Sequence, residues 1–294
     1  MSKHFILILF LFIISACGGG GNSSNPNAYV PPAAIVRADL YYGYFGSLAN
    51  QPSETEGHVN IFYDLGFDGP EKRIENIKYM GLKNSNSVIG LDYVLWNNNG
   101  LANEKTRFTE APDAEVRLTA LLQSFKDADI LKYIQAASIL DEVDNREIPE
   151  ALVKKQIDLT KKVFANFNVP IKILGIYGAK FTWVGSQYLD WVGFDNYSAG
   201  AAIFYNGDYA RFKGILKPHQ KGVLVPGGAE PWLQDPAAFI NTANADAQII
   251  WIMPFTWFTS GAGSDFGKGI RDNSRRKDYC NAGAIISQKK DAKC

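Results

Sequence analysis

Histidine is scarce in this chain: His4, His58 and His219 are the only three among 294 residues. They do not fall in a ligand-spaced cluster, which argues against a zinc centre built on histidine. Gly-x-Ser-x-Gly does not occur, so a nucleophile elbow has no sequence to form on. No glycine-rich phosphate fingerprint follows the first strand pattern, against a dinucleotide fold. Neither sign of charge dominates, with 30 basic and 30 acidic residues. Such a balance offers no basic surface to nucleic acid or to an anionic membrane face. The longest apolar run, residues 5–14, is too short to span a bilayer. No metal, no cofactor and a monomer are expected.

What is present begins with an address. Lys3 and His4 precede the apolar run, and small residues lead into Cys17. Ile14-Ser15-Ala16-Cys17 resembles the lipobox of bacterial lipoproteins. That resemblance implies removal of residues 1–16, lipidation of Cys17 and a membrane anchor. Gly18 stands where an inner-membrane retention signal carries Asp, which by the same resemblance points to the outer membrane. An ordinary secretory signal with an incidental cysteine is the other reading. Residues 17–36 read as a flexible tether; its 18–27 stretch, opening Gly18-Gly19-Gly20-Gly21, has no apolar face. Loss of the leader removes only Lys3 among the charges, leaving a formal charge of −1. If Cys17 carries lipid, Cys280 and Cys294 remain, an even number suited to an oxidising compartment. A disulfide pinning the C-terminal tail is expected; two free thiols are the alternative.

Residues 37–294 read as one domain of alternating strands and helices. Strand patterns fall at 39–45, 59–64, 87–93, 134–140, 171–177, 189–194, 222–225 and 248–253. Helical spacing of apolar residues falls at 71–80, 114–133, 149–167, 208–216 and 235–243, with a last helix after 271. Eight βα units in this length predict a (β/α)8 TIM barrel. The connections after the first and fifth strands show no helical period, which leaves a seven-stranded or distorted barrel open.

In such a barrel the loops after the strands build the site. The strand ends here carry Tyr44 and Phe45; Tyr63 and Asp64; Asp92 and Trp96; Asp141, Glu142 and Asp144; Tyr177, with Trp183 in its loop; Asp195, Asn196 and Tyr197; Glu230 and Trp232; Phe255 and Trp257. This is a ring of carboxylates and aromatics. Aromatic rings suit the apolar faces of sugars, and paired carboxyl groups suit cleavage of a glycosidic bond. A calcium loop over 141–144 is the other use for such carboxylates, although the EF-hand spacing and glycine are missing.

With Glu142 after the fourth strand and Glu230 after the seventh, the chain resembles the (β/α)8 glycoside hydrolases grouped as clan A. The resemblance implies Glu142 as acid/base, Glu230 as nucleophile and a retaining mechanism on an extracellular or envelope polysaccharide or oligosaccharide. It implies Tyr197 as support for the nucleophile and Trp257 as the floor of the sugar site. Tyr44, Asp64, Asp92, Trp96, Asp141, Trp183, Asn196 and Trp232 complete the expected carbohydrate-binding set. The family carries Asn before its acid/base Glu, where this chain has Asp141. A barrel that binds glycans without cutting them is the alternative reading.

Overall fold

Eight short segments rich in β-branched and aromatic residues hydrogen-bond side by side, all in the same direction. The computed structural model describes residues 37–46, 52–99, 107–178, 180, 182–195, 197, 207–259, 267–289 and 294. The strands are β1 (Tyr41–Tyr42), β2 (Ile61–Asp64), β3 (Asn86–Gly90), β6 (Ile134–Ser138), β7 (Lys172–Tyr177), β8 (Trp191–Asp195), β9 (Lys221–Val225) and β10 (Ile249–Ile252). Their order is β1-β10-β9-β8-β7-β6-β3-β2, parallel at every pairing. A hairpin of β4 (Trp96–Asn98) and β5 (Phe108–Glu110) is inserted after β3.

The two ends of this order meet. Asn60 N–H donates to the Tyr42 carbonyl (3.1 Å), Tyr42 N–H donates to Asn60 Oδ1 (2.7 Å), and Asn60 Nδ2 donates to the Leu40 carbonyl (3.1 Å). One asparagine thus bridges β1 to β2 where the ladder is short. Gly43 belongs to the same seam, since a Cβ there would stand 2.0 Å from the Ile61 carbonyl oxygen. The result is a nearly closed (β/α)8 barrel.

Helices α1 (Pro52–Thr55), α2 (Pro70–Leu82), α3 (Asp92–Leu95), α4 (Ala114–Asp127), α5 (Glu150–Asn166), α6 (Asp208–Ile215), α7 (Pro236–Ala245) and α8 (Arg276–Ser287) occupy the connections. Two apolar cores follow from the period-two alternation of strands inside a ring of helices. The inner core fills the barrel with Ile61, Val88, Ala136, Leu174, Ile176, Trp191, Val223 and Trp251 among others. The outer core packs Phe62, Ile89, Ala137, Ile173, Val192, Phe194 and Leu224 against the helices.

The eight expected strands are all present, with differences at the ends. The third stops at Gly90, and residues 92–95 turn into α3. The helix expected over 114–133 ends at Asp127; Asp129 takes a left-handed conformation and residues 131–133 form a 3-10 turn. After β1 the described residues hold only the one-turn α1, and after β7 only a 3-10 turn at Ser186–Tyr188. The Cys280–Cys294 disulfide is formed and ties the C-terminus to α8. The leader, the tether and Cys17 lie outside the described residues.

Candidate functional site

Parity along each strand decides what faces the mouth of the barrel. On β8, Trp191 belongs to the inner core while Val192 and Phe194 belong to the outer one. Asp195 therefore falls on the inward phase at the last position of β8. It is 5% exposed. Burial comes first, and then the charges of Glu142, Asp141 and Asp144 hold its carboxyl well above the usual carboxylate range. Tyr197 donates its hydroxyl to Asp195 Oδ2 at 3.4 Å. The Tyr197 ring stacks on Phe255 (centroids 4.9 Å apart) and lies 5.2 Å from Trp232. Burial, and then the Asp195, Asp141 and Glu142 charges, push the Tyr197 phenol up, so it stays a donor.

The carboxylates opposite come from the loop after β6. Glu142 sits at φ 49°, in the left-handed region, within a tight turn that includes Arg146 N–H donating to the Glu142 carbonyl. Asp144 is buried and accepts from the Gly178 N–H (2.9 Å) and the Asn145 N–H (3.1 Å); burial raises its pKa against those bonds. Gly178 makes this approach sterically open. A Cβ there would stand 2.7 Å from Asn145 Nδ2 and 3.3 Å from Asp195 Oδ1. The missing side chain lets the β6 loop close on the end of β8.

Beside this cluster lies a cavity of about 230 Å³. Asp92, Asp141, Arg107 and Arg146 supply its polar lining. Arg146 holds the Asp141 main chain through Nε (2.5 Å), approaches the Asp141 carboxylate at 3.8 Å and lies over the Phe108 ring. The Asp141 N–H donates to Asp92 Oδ1 (3.2 Å). Burial raises the Asp92 pKa, opposed by that bond and by the Arg146 and Arg73 charges. Phe45, Tyr63 and Phe255 form apolar wall. The Tyr63 hydroxyl is wholly buried within the field of Asp92 and Asp141, beside Ser138.

Of the residues expected at the site, Asp92, Asp141, Glu142, Tyr197 and Trp232 lie at the barrel mouth. Asn196 lies outside the described residues. Glu230 is five residues beyond the end of β9. Its backbone pairs with Lys268 and Gly267, and a Cβ on Gly267 would lie 3.6 Å from Glu230 Oε2. Its side chain therefore packs along the 267–268 segment. Trp183 is half-buried, its ring among Tyr177, Phe194 and Phe212.

Four expected sugar contacts are instead structural. Asp64 is on the outward phase with Phe62 and is locked to Arg73 Nε at 2.6 Å. Tyr44 is buried among Tyr42, His58 and Trp257. Trp257, 1% exposed, donates Nε1–H to Glu54 (2.8 Å) and offers no face to solvent. Trp96, also 1% exposed, donates to the Ile139 carbonyl (2.7 Å) and anchors the hairpin to β6. Sequence reading passed over Arg107 and Arg146, whose signal was only a basic residue near a strand-end loop. Asp195 is visible in the sequence as a strand end, but not as a buried carboxyl.

No family model matches the chain, and no curated protein sequence matches it. Solved structures do share its barrel. A glycoside hydrolase family 17 β-1,3-glucanosyltransferase from Rhizomucor miehei superposes with TM-score 0.53 at 12% identity, over 79% of this chain and 92% of that one. Xylanase 10B from Thermotoga maritima gives 0.55 at 11%, over 85% and 94%. The GH53 catalytic domain from Ignisphaera aggregans gives 0.52 at 12%, over 84% and 91%. At this identity the likeness establishes the fold: a TIM barrel of the form these carbohydrate-active enzymes use.

Proposed function

We propose that the chain is a glycoside hydrolase acting on a polysaccharide or oligosaccharide at the mouth of its barrel, with Asp195 and Glu142 as its working carboxyl groups. The supporting observation is the buried Asp195, held above the usual carboxylate range and surrounded by acidic neighbours. A glycosidic oxygen is a poor leaving group until protonated, and a neutral buried carboxyl can supply that proton. Glu142 then attacks the anomeric carbon from the other side, and water releases the glycosyl-enzyme with Asp195 as base. Double displacement uses a short carboxyl separation of about 5–5.5 Å. Retention of anomeric configuration is expected and is checked by NMR of the first product. Tyr197 keeps Asp195 oriented, and Phe255 and Trp232 give the sugar an apolar surface.

This assignment moves both roles, because the resemblance makes Glu142 the acid/base. The clan A resemblance gives the nucleophile to Glu230, whereas the residues that directly follow β9 are Pro226 and Gly227. Asp195→Asn, Glu142→Gln and Glu230→Gln, each assayed on aryl glycosides and a polysaccharide panel, separate the pairings. Steep loss in the first two with a mild effect in the third supports Asp195 with Glu142. Steep loss in Glu230→Gln and little in Asp195→Asn returns the role to Glu230. Wild-type rates in all three remove the carboxylate mechanism.

The same absence of a carboxylate directly after β9 favours a second reading, a barrel that binds glycan without cutting. Saturable binding with no product on any substrate would select it. For either reading we propose a bacterial envelope location with lipid on Cys17 as the outer-membrane anchor, which the lipobox resemblance of residues 14–17 supports. Fatty-acid labelling in the wild type that is lost in Cys17→Ala tests that placement.

A further inference from the structure

Phe67 and Tyr93 stand out among the exposed residues. Phe67 is 58% exposed and Tyr93 38%. Their rings meet edge to face with centroids 5.2 Å apart. The other large exposed apolar residues among those described, Leu82, Val116 and Ile285, lie on three different helices. An isolated exposed Leu or Val needs no explanation, but two adjoining aromatics left in water forgo burial that the fold could have used.

Their position gives the reason. Phe67 is in the loop after β2, and Tyr93 is in α3 after β3. Both line the cavity that contains Asp92 and Asp141. With Phe45, Tyr63 and Phe255 deeper in, they extend one aromatic surface from the barrel mouth to its rim. Asp68, half-buried beside Phe67, and Arg107, on the cavity wall, place an acceptor and donors next to the rings. Apolar faces flanked by hydrogen-bonding groups match a pyranose ring, whose C–H face is apolar and whose edge carries hydroxyls.

We propose that the Phe67–Tyr93 pair is a second sugar-binding subsite, carrying a ring of the substrate chain beyond the residue held at the carboxylates. This rests on the glycan reading above and adds that the substrate is a chain, not a single terminal unit. The pair acts on affinity for long chains, since it is remote from the bond that is cut.

The test is affinity electrophoresis of the protein through gels containing glucan, xylan, galactan, mannan, chitosan or polygalacturonate, beside hydrolysis of aryl glycosides. The wild type is expected to be retarded by at least one polymer. Phe67→Ala/Tyr93→Ala should weaken that retardation by about ten- to a hundredfold, the loss of one buried aromatic contact or two. KM for the polymer should rise with kcat little changed, and aryl glycoside turnover should be kept. Val116→Ala, exposed on α4, should behave as wild type. Unchanged retardation in the double variant overturns the subsite and leaves the glycosidase reading intact. Aryl glycoside turnover with no retardation by any polymer also overturns it. Neither retardation nor turnover on any substrate removes both readings.

Discussion

Asp64 and Asp195 each end a barrel strand, and each is buried, yet their surroundings are opposite. Asp64 lies on the outward phase of β2 and meets Arg73 of α2, which also donates to the Gly90 carbonyl (2.9 Å). Asp195 lies on the inward phase of β8. Among the described residues it forms no salt bridge, and its charged neighbours Glu142, Asp141 and Asp144 are all acidic. One carboxylate is compensated and serves the wall between sheet and helix. The other has no salt bridge among the described residues, and its burial costs stability, a pattern common at functional sites.

The comparison breaks first on activity. If Asp195 supplies the proton and Glu142 the carboxylate, Asp195→Asn and Glu142→Gln should each lower turnover by about 10²–10⁴-fold with the circular dichroism spectrum unchanged. Asp64→Asn should move activity far less. A fall in Asp64→Asn as deep as that in Asp195→Asn would erase the distinction.

Stability should respond with the opposite sign on the two sides. Arg73→Met leaves Asp64 buried without its cation and should cost about 3–5 kcal/mol in urea unfolding. Asp64→Leu/Arg73→Met should recover much of that loss. Asp195→Asn should stabilise. An unfolded carboxyl ionises near its ordinary pKa, while the folded Asp195 holds its proton to higher pH. Between the two values the unfolded state binds fewer protons, so wild-type stability falls as pH rises through that window. The amide has no such dependence. Asp195→Asn should therefore melt above the wild type at pH 7, and the gap should close towards pH 4. A gap between Asp195→Asn and wild type that is the same at pH 7 and pH 4 would show that burial of Asp195 carries no electrostatic cost. The disulfide is a neutral reference for both arms. Cys280→Ser, which opens a link spanning 14 residues, should cost about 3 kcal/mol with little change in turnover.

The contrast also explains what could be read from the sequence. The strands were legible because each is a short apolar run between polar turns, and all eight were placed within a few residues. The hairpin at β4 and β5 was not, because residues 96–98 are Trp-Asn-Asn, without β-branched side chains. Site parity was harder. β8 reads Trp-Val-Gly-Phe-Asp and is buried on both faces, so no polar alternation marks which side chains point inward. β2, Ile-Phe-Tyr-Asp, hides its phase in the same way, which is why Asp64 and Asp195 looked alike as strand ends. Trp96, Tyr44 and Trp257 fall in the expected carbohydrate-binding set for a related reason. An aromatic after a strand can turn into the mouth or fold back on the helix layer, and their hydrogen bonds or ring partners are too distant in sequence to be read there.

His58 provides the finest test, because it should titrate in the reverse sense to Asp195. It lies in the outer layer against Tyr44 and Trp257, 1% exposed. Burial, and then the Lys289 and Arg276 charges, push it down to about 4. The unfolded histidine takes a proton near pH 6.5 and the folded one does not, so the unfolded state binds more protons between those values. The stability from His58 is complete above pH 6.5 and is lost as pH falls through the window to 4. At pH 5.5 the loss is about 1.4 kcal/mol, one pKa unit of the shift. His58→Phe keeps a ring in the box and removes the proton site. It should lose no stability between pH 7 and 5.5 from this source, while Asp195→Asn should narrow its lead over the wild type on the same descent. Parallel pH profiles for wild type and His58→Phe would mean that the folded imidazole titrates as it does in the unfolded chain.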